Sequence, residues 1–425
     1  VTSYRSLFAN REFRYLYGGQ LLSYLGDQLA AIAVAVLVFD RTGSGLLAAV
    51  GYASAWLPGV FGGPVLSSYA DRLPRRSVLI GCDLLRAGLV ALLAIPMMPL
   101  WAAILLLYVA HLFAPPFTAA RAALLPEVLP GDAYVTGNGL GNITHQAAQL
   151  VGFAIGGAVV AAIGSRWALA GDAATFAVSA LLIAVGVRHR PAPEGVEPGR
   201  LWADTRAGLR YVFADPWLRG CLLLVWLASA FSYAPEAIAY PYAVRLGGGP
   251  ATAGLLLAAP CVGYVGGAVL LTRLLPPPAR DRLLVPAALL STVALIPVLT
   301  GPGLPVVLAL LTAAGAGAAF AAPLNAVFVR RVAPGFRGRA MGVAITGLLV
   351  AQGAGFLLAG AALQAGVPAP AVVGGSGVIG TLVVAAVGLT WQRPAGPATV
   401  PLANPTAVPQ SGPTASRPGG RTASG

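Results

Sequence analysis

Lysine is absent from this 425-residue chain, and charge of either sign is scarce: 27 basic residues, every one an arginine, and 14 acidic residues amount to 10% of the sequence. A soluble globular domain carries about 25% charged residues, whereas here 57% are hydrophobic and the mean hydropathy is +0.78. That balance excludes a soluble fold and points to the lipid bilayer. Without lysine no Gly-x-x-x-x-Gly-Lys-Ser/Thr phosphate loop can exist in that form, so an ATP-driven pump encoded in this chain is excluded. Cysteine is also rare. Cys82, Cys221 and Cys261 stand singly in or beside apolar runs, without paired or metal-ligand spacing, and read as small hydrophobes. No hydrolase elbow or metal spacing occurs, so neither an enzyme nor a cofactor is expected.

What is abundant is apolar sequence in membrane-length runs. A helix needs roughly 20 residues to cross the hydrocarbon core, and twelve runs qualify: 13–39, 46–69, 78–99, 101–122, 134–163, 167–187, 217–243, 251–275, 283–301, 304–329, 339–365 and 369–391. The polar stretch before the first run lacks a small-residue cleavage site after it, so that run is expected to be retained as a span. The arginines divide unequally between the two sides. Arg41, Arg166 and Arg245 are alone in the loops of one side, Arg86 and Arg121 lie within or at the ends of spans, and the others fall on the opposite side. By the positive-inside rule the arginine-rich side, with both termini, is cytoplasmic. The formal charge of +13 therefore marks topology, not nucleic-acid binding.

The longest internal connection, 188–216, divides the spans six and six. It separates bundle 1–187 from bundle 217–391, with a polar tail 392–425 expected to be disordered. Within the connection, Leu201, Thr205, Leu209 and Val212 or Phe213 share a helical face opposite Arg206 and Arg210, which predicts a helix lying on the inner membrane surface. The halves repeat. Gln149-Leu-Val-Gly-Phe-Ala-Ile-Gly-Gly-Ala matches Gln352-Gly-Ala-Gly-Phe-Leu-Leu-Ala-Gly-Ala, and at nearly the same offset Phe113-Ala-Pro-Pro-Phe resembles Phe320-Ala-Ala-Pro-Leu and Pro130-Gly resembles Pro334-Gly. Each pair lies six spans apart, as in a carrier whose two bundles rock about a central site.

Between the second and third runs stands Ser67-Ser-Tyr-Ala-Asp71-Arg72-Leu-Pro74-Arg75-Arg76. With twelve spans and a six-six split, this charged turn resembles the major facilitator superfamily, whose loop motif runs Gly-x-x-x-Asp-Arg-x-Gly-Arg-Arg. Asp71, Arg72, Arg75 and Arg76 match, while Ser67 and Pro74 replace the two glycines. Asp83-Leu-Leu-Arg86-Ala, Gly171-Asp172-Ala-Ala-Thr-Phe and the 201–216 segment resemble the macrolide and siderophore exporter branch, similar to enterobactin exporters. The resemblance covers about residues 4–391. It implies an all-α integral membrane fold of twelve transmembrane helices in two six-helix bundles, with a cavity lined mainly by spans 1, 4, 7 and 10. Proton-coupled exporters of the superfamily often carry Gly-Pro-x-x-Gly-Gly in span 5; here Gly152, Gly156 and Gly157 are kept for helix packing, and Phe153 replaces proline.

Asp27 is the most informative single residue, since a carboxylate in mid-span costs roughly 2.5–3.5 kcal/mol on insertion scales. Gln20, Ser23 and Asp27 share one helical face, so Asp27 is expected either to titrate protons in the cavity or to bond a neighbouring helix. Ser229, Tyr233, Glu236 and Tyr240 form a comparable face on span 7, and aromatic rings beside a carboxylate suit an amphipathic, often cationic ligand. His111 on span 4, Gln149 on span 5, Gln352 on span 11 and Asn325 on span 10 are further cavity candidates. His145 is read as a packing or proton-shuttling residue. Asp71, Arg72, Arg75, Arg76, Asp83, Arg86 and Arg121 are expected to gate or latch the cytoplasmic side. Asp172 is expected to be a solvated or capping carboxylate.

Together these features predict a monomeric secondary transporter in the cytoplasmic membrane that exports amphipathic small molecules by proton antiport. A facilitator or importer of the same fold, or a non-transporting sensor or scaffold, are the alternatives.

Overall fold

The computed structural model describes residues 4–54, 58, 66, 72–96, 98–191 and 201–391, and among these the regular elements are all helical. Among the described residues ten helices are long and apolar enough to cross a membrane. Numbered as above, they are span 1 (Arg11–Thr42), span 4 (Leu100–Val128), span 5 (Asp132–Ile163), span 6 (Ser165–Gly186), span 7 (Pro216–Ala237), span 8 (Pro250–Leu274), span 9 (Pro278–Thr300), span 10 (Leu304–Arg331), span 11 (Pro334–Gln364) and span 12 (Ala369–Thr390). Span 3, Arg75–Leu93, is a 19-residue helix whose four charged residues set it apart from the others. Span 2 is described over Gly45–Ala53; Ser67 and Asp71 of the charged turn lie outside the described residues. So does the tail after Trp391.

Lipid tails are as apolar as leucine, so burial of apolar surface does little to join helices inside a bilayer and close backbone approach does more. Spans 1 and 6 show this. A Cβ on Gly19 would lie 2.8 Å from Ser179 Oγ, and one on Gly26 would collide with the side chains of Asp172 and Thr175. Spans 8 and 10 cross in the same way, with a Cβ at Gly263 falling 2.7 Å from the backbone nitrogen of Ala316.

The internal repeat has structural counterparts. Span 4 breaks at Phe113, between helices Leu100–Leu112 and Ala114–Val128, and span 10 breaks after Ala318, resuming at Ala321–Arg331. Those are the two Phe-Ala-x-Pro segments. Proline lacks the N–H of a helical turn and crowds the carbonyl four residues back, which explains both interruptions. At the arginine-rich end the helix caps also correspond. Asn10 caps span 1, accepting from Phe13 N at 3.3 Å while its Nδ2 donates to Val128 O of span 4 at 2.9 Å. Asp215 caps span 7, accepting from Trp217 N at 2.8 Å while pairing with Arg331 of span 10 at 3.3 Å.

The helix expected on the membrane surface is Leu201–Ala214, and it docks on protein. Val212 is fully buried, Tyr211 stacks on Phe336 with ring centroids 4.5 Å apart, and Gly208 packs on the backbone of Arg339. Leu209 and Phe213, on the face assigned to lipid by the sequence pattern, are exposed. Glycine at 208 opens a flat surface that the start of span 11 fills.

Candidate functional site

The two halves converge at one end. A Cβ on Gly157 of span 5 would lie 2.8 Å from the Cα of Gly254 of span 8, and one on Gly360 of span 11 would lie 3.2 Å from the Cα of Leu46 in span 2. Gly157 and Gly360 are corresponding residues of the internal repeat, so one sequence feature serves both seams. Hydrogen bonds reinforce this end: Ser44 Oγ donates to Gln364 Oε1 at 2.7 Å and Tyr240 OH donates to Asp40 Oδ1 at 2.8 Å. Toward the arginine-rich end several glycines of spans 5 and 11 face open space. A Cβ on Gly139 of span 5, or on Gly338 or Gly342 of span 11, would meet nothing within 4 Å.

Beneath the seams lies a cavity of 230 Å³. Span 7 contributes Ser229, Tyr233 and Glu236, placed just before the helix turns at Ile238, and span 8 contributes Cys261 and Tyr264. His145, Gln146, Gln149 and Phe153 enter from span 5, Gln352 from span 11 and Tyr52 from span 2. Tyr52 OH donates to Glu236 Oε2 at 2.9 Å, joining the halves through the cavity wall. The lining is apolar and aromatic with one carboxylate and a few amides, the composition of a small-molecule site.

Of the residues expected in the cavity, Glu236, Tyr233, Gln149 and Gln352 line it together. Gln20 is buried and donates to Tyr24 OH at 2.6 Å. Tyr240 belongs to the closed end through Asp40, and Asn325 is exposed on span 10. Asp27 pairs with Arg86 of span 3 at 2.5 Å, inside the N-terminal half. His111 lies within electrostatic reach of both, with its Nδ1 bonded to Leu107 O at 2.8 Å. Asp83 is fully buried, and Asp172, expected in solvent, is only 1% exposed because span 6 packs it against Gly26.

The arginines of the charged turn bind within their own half. Arg75 pairs with Glu127 of span 4 and donates to Ala123 O at 3.0 Å, and Arg76 donates to Ala184 O of span 6 at 2.6 Å. Arg190 completes the cluster, pairing with Glu12 at 2.9 Å and with Glu127 at 3.4 Å. The Glu12 hydrogen bond holds the Arg190 guanidinium above its ordinary range. Arg72 is exposed, whereas Arg121 is half-buried, with a guanidinium nitrogen 3.1 Å from a Cβ built on Gly141. Gly152 packs on Gln28 and Gly156 on Leu29 of span 1.

Sequence reasoning missed Tyr52, Tyr264 and the Glu12–Arg190 pair. A tyrosine within an apolar run was a usable signal for the first two. Glu12 and Arg190 lie too far apart in the chain for any spacing rule to join them.

A sequence profile of the Major Facilitator Superfamily matches residues 16–280, and the chain belongs to that superfamily. Among curated relatives, Multidrug efflux pump Tap of Mycobacterium tuberculosis is 28% identical over 365 residues, covering 80% of this chain and 84% of Tap. Macrolide efflux protein A of Streptococcus pyogenes is 23% identical over 180 residues, covering 41% of this chain and 44% of that protein. The chain thus spans less than half the length of several curated relatives it matches. Among solved structures, the nucleoside transporter NupG superposes with a TM-score of 0.67 at 15% identity, over 89% of this chain and 100% of NupG. That likeness shows the fold: two six-helix bundles. The chain is thus a multi-pass membrane protein with the fold of this superfamily.

Proposed function

We propose that this transporter is a secondary active exporter of amphipathic small molecules, drug-, macrolide- or siderophore-like, working by proton antiport and alternating access. The observation that carries the reading is the cavity itself. Glu236 faces it among Tyr52, Tyr233 and Tyr264, a negative group in an aromatic wall suited to an apolar body with a cationic end. The efflux names of the relatives support the same direction. With the arginine-rich end cytoplasmic, a monomer in the cytoplasmic membrane with both termini inside takes substrate from the cytoplasm or inner leaflet. Closure of the glycine seams at the other end then corresponds to the inward-facing state. Asp27 and Glu236 are the proton-responsive groups, and protonation biases the two states only by binding one more tightly than the other. Asp71, in the charged turn, acts as a latch when the cytoplasmic end closes.

The test is binding to the purified protein. Glu236→Gln keeps a hydrogen-bond acceptor for Tyr52 but removes the negative charge. It should weaken a cationic amphiphile about tenfold or more, in line with a contact to a charged group worth about 1.5–3 kcal/mol. A neutral ligand of similar size should bind nearly unchanged. Equal losses for both ligands would remove Glu236 as the charge-selecting group.

A facilitator or importer is the second reading, favoured by Phe153 in place of the expected proline. Span 5 accordingly continues as one unbroken helix from Asp132 to Ile163.

A further inference from the structure

The N-terminal half sets three carboxylates, two of them fully buried, around one guanidinium, apart from the cavity. Asp27 comes from span 1, Asp83 and Arg86 from span 3, and Asp172 from span 6. Arg86 Nη2 donates to Asp27 Oδ1 at 2.5 Å, and its guanidinium carbon sits 4.0 Å from the centroid of the Phe176 ring. Asp83 is 0% exposed, and among the described residues neither of its carboxylate oxygens has a cationic partner within ion-pair distance, the hydroxyl of Ser179 being its polar neighbour. Asp172 is 1% exposed and accepts only a long bond, 3.3 Å, from Thr175 Oγ1 of its own helix.

The neighbours do not balance this charge. His111 faces the cluster from span 4 with Nδ1 engaged by its own helix, and His145 from span 5 rests edge-on to Tyr24 with ring centroids 4.7 Å apart. Cys82 adjoins Asp83, and the neutral hydroxyl of Ser179 on span 6 lies near Asp83 and beside Gly19. One guanidinium compensates one carboxylate. A second and third ionised carboxylate would each remain buried without a counter-ion, at a cost of several kcal/mol.

We infer that Asp83 and Asp172 form a proton-binding site, with Arg86 as the counter-ion they share with Asp27. Asp27 is the member that meets water, its side chain 29% exposed against 5% for Arg86. A proton arriving on Asp27 neutralises that carboxylate and frees Arg86. Arg86 then pairs with Asp83 or Asp172, whose proton passes to water admitted as spans 1, 3 and 6 move, so one proton enters, one leaves and the charge of the cluster is unchanged. None of these four residues lines the substrate cavity. This proton site is therefore separate from the cavity that holds Glu236, and it is coupled to the cavity through movement of spans 1, 3 and 6. This deepens the proton-antiport reading and rests on it for its role in transport, although the site itself is measurable without substrate.

Infrared difference spectra of the purified protein between neutral and alkaline buffer report protonated carboxyls directly. Wild type labelled with carboxyl-carbon-13 aspartate should show isotope-shifted bands of the protonated acid, and a spectrum without them overturns the site before any variant is made. Asp83→Asn and Asp172→Asn should each remove one component, Asp83→Glu should move its component without deleting it, and Glu236→Gln should leave both in place. An aspartate spectrum that either asparagine variant leaves unchanged also overturns the assignment. Transport that ignores a pH gradient while the two bands remain would refute proton-driven export and leave the proton site standing.

Discussion

Replacing Gly157 by leucine should abolish transport while leaving a folded, membrane-inserted protein. The Cβ of any residue at 157 falls 2.6 Å from Pro250 O and 2.8 Å from the Cα of Gly254. Those are backbone atoms, which cannot swing aside as the end of a long side chain can. Overpacking of this kind costs about 1–3 kcal/mol or more, and here the cost falls only on the state in which spans 5 and 8 touch. A penalty confined to one state shifts the populations by about 5- to 150-fold and holds the transporter with this end open. Ser44, which bonds Gln364 across the same end, supplies the readout. A cysteine introduced by Ser44→Cys should react with an impermeant maleimide faster in the Gly157→Leu background. Normal transport by Gly157→Leu, or unchanged reactivity, would show that the glycine seam does not close and open during the cycle. Gly360→Leu should reproduce the effect, because the repeat places it at the equivalent seam of spans 2 and 11.

Asp27→Asn should eliminate transport driven by a pH gradient while sparing exchange of substrate for substrate. Removing one partner of a buried ion pair costs about 3–5 kcal/mol when the other charge is stranded. Arg86, 4% exposed, would be stranded in that way if Asp83 and Asp172 were absent. Their presence lets one of them ionise and take over the pairing, so the variant should fold. What it loses is the carboxylate that receives the proton. Proteoliposomes with and without an imposed gradient separate the two activities. Coupling equal to wild type would remove Asp27 from the mechanism.

Much of the architecture was legible because membrane helices announce themselves by length and hydropathy. The two Phe-Ala-x-Pro segments and the repeated Gln-x-x-Gly-Phe segment are breaks and seams in three dimensions, and the sequence already paired them. Span 3 was legible only as an apolar run with charges. Its partners lie on other helices: Arg86 and Asp27 are 59 residues apart, and Tyr52 and Glu236 are 184 apart. Helical periodicity relates residues within one helix and is silent about such pairs. Asp172 was misjudged for a related reason. A carboxylate near the end of an apolar run reads as solvated, unless it is known that the facing helix has a glycine there to let it in. The charged turn suggested a latch between halves; its Arg75 and Arg76 also tie span 3 to spans 4 and 6, contacts that a local motif does not encode.

The most direct test of the central claim uses proteoliposomes whose outer face is the arginine-rich end. With an acid interior, a fluorescent cationic amphiphile should accumulate inside against its own gradient while the interior becomes more alkaline, and an ionophore that collapses the pH gradient should reverse both. Equilibration of the dye without accumulation, and without proton movement, would contradict proton-driven export and leave a facilitator of the same fold.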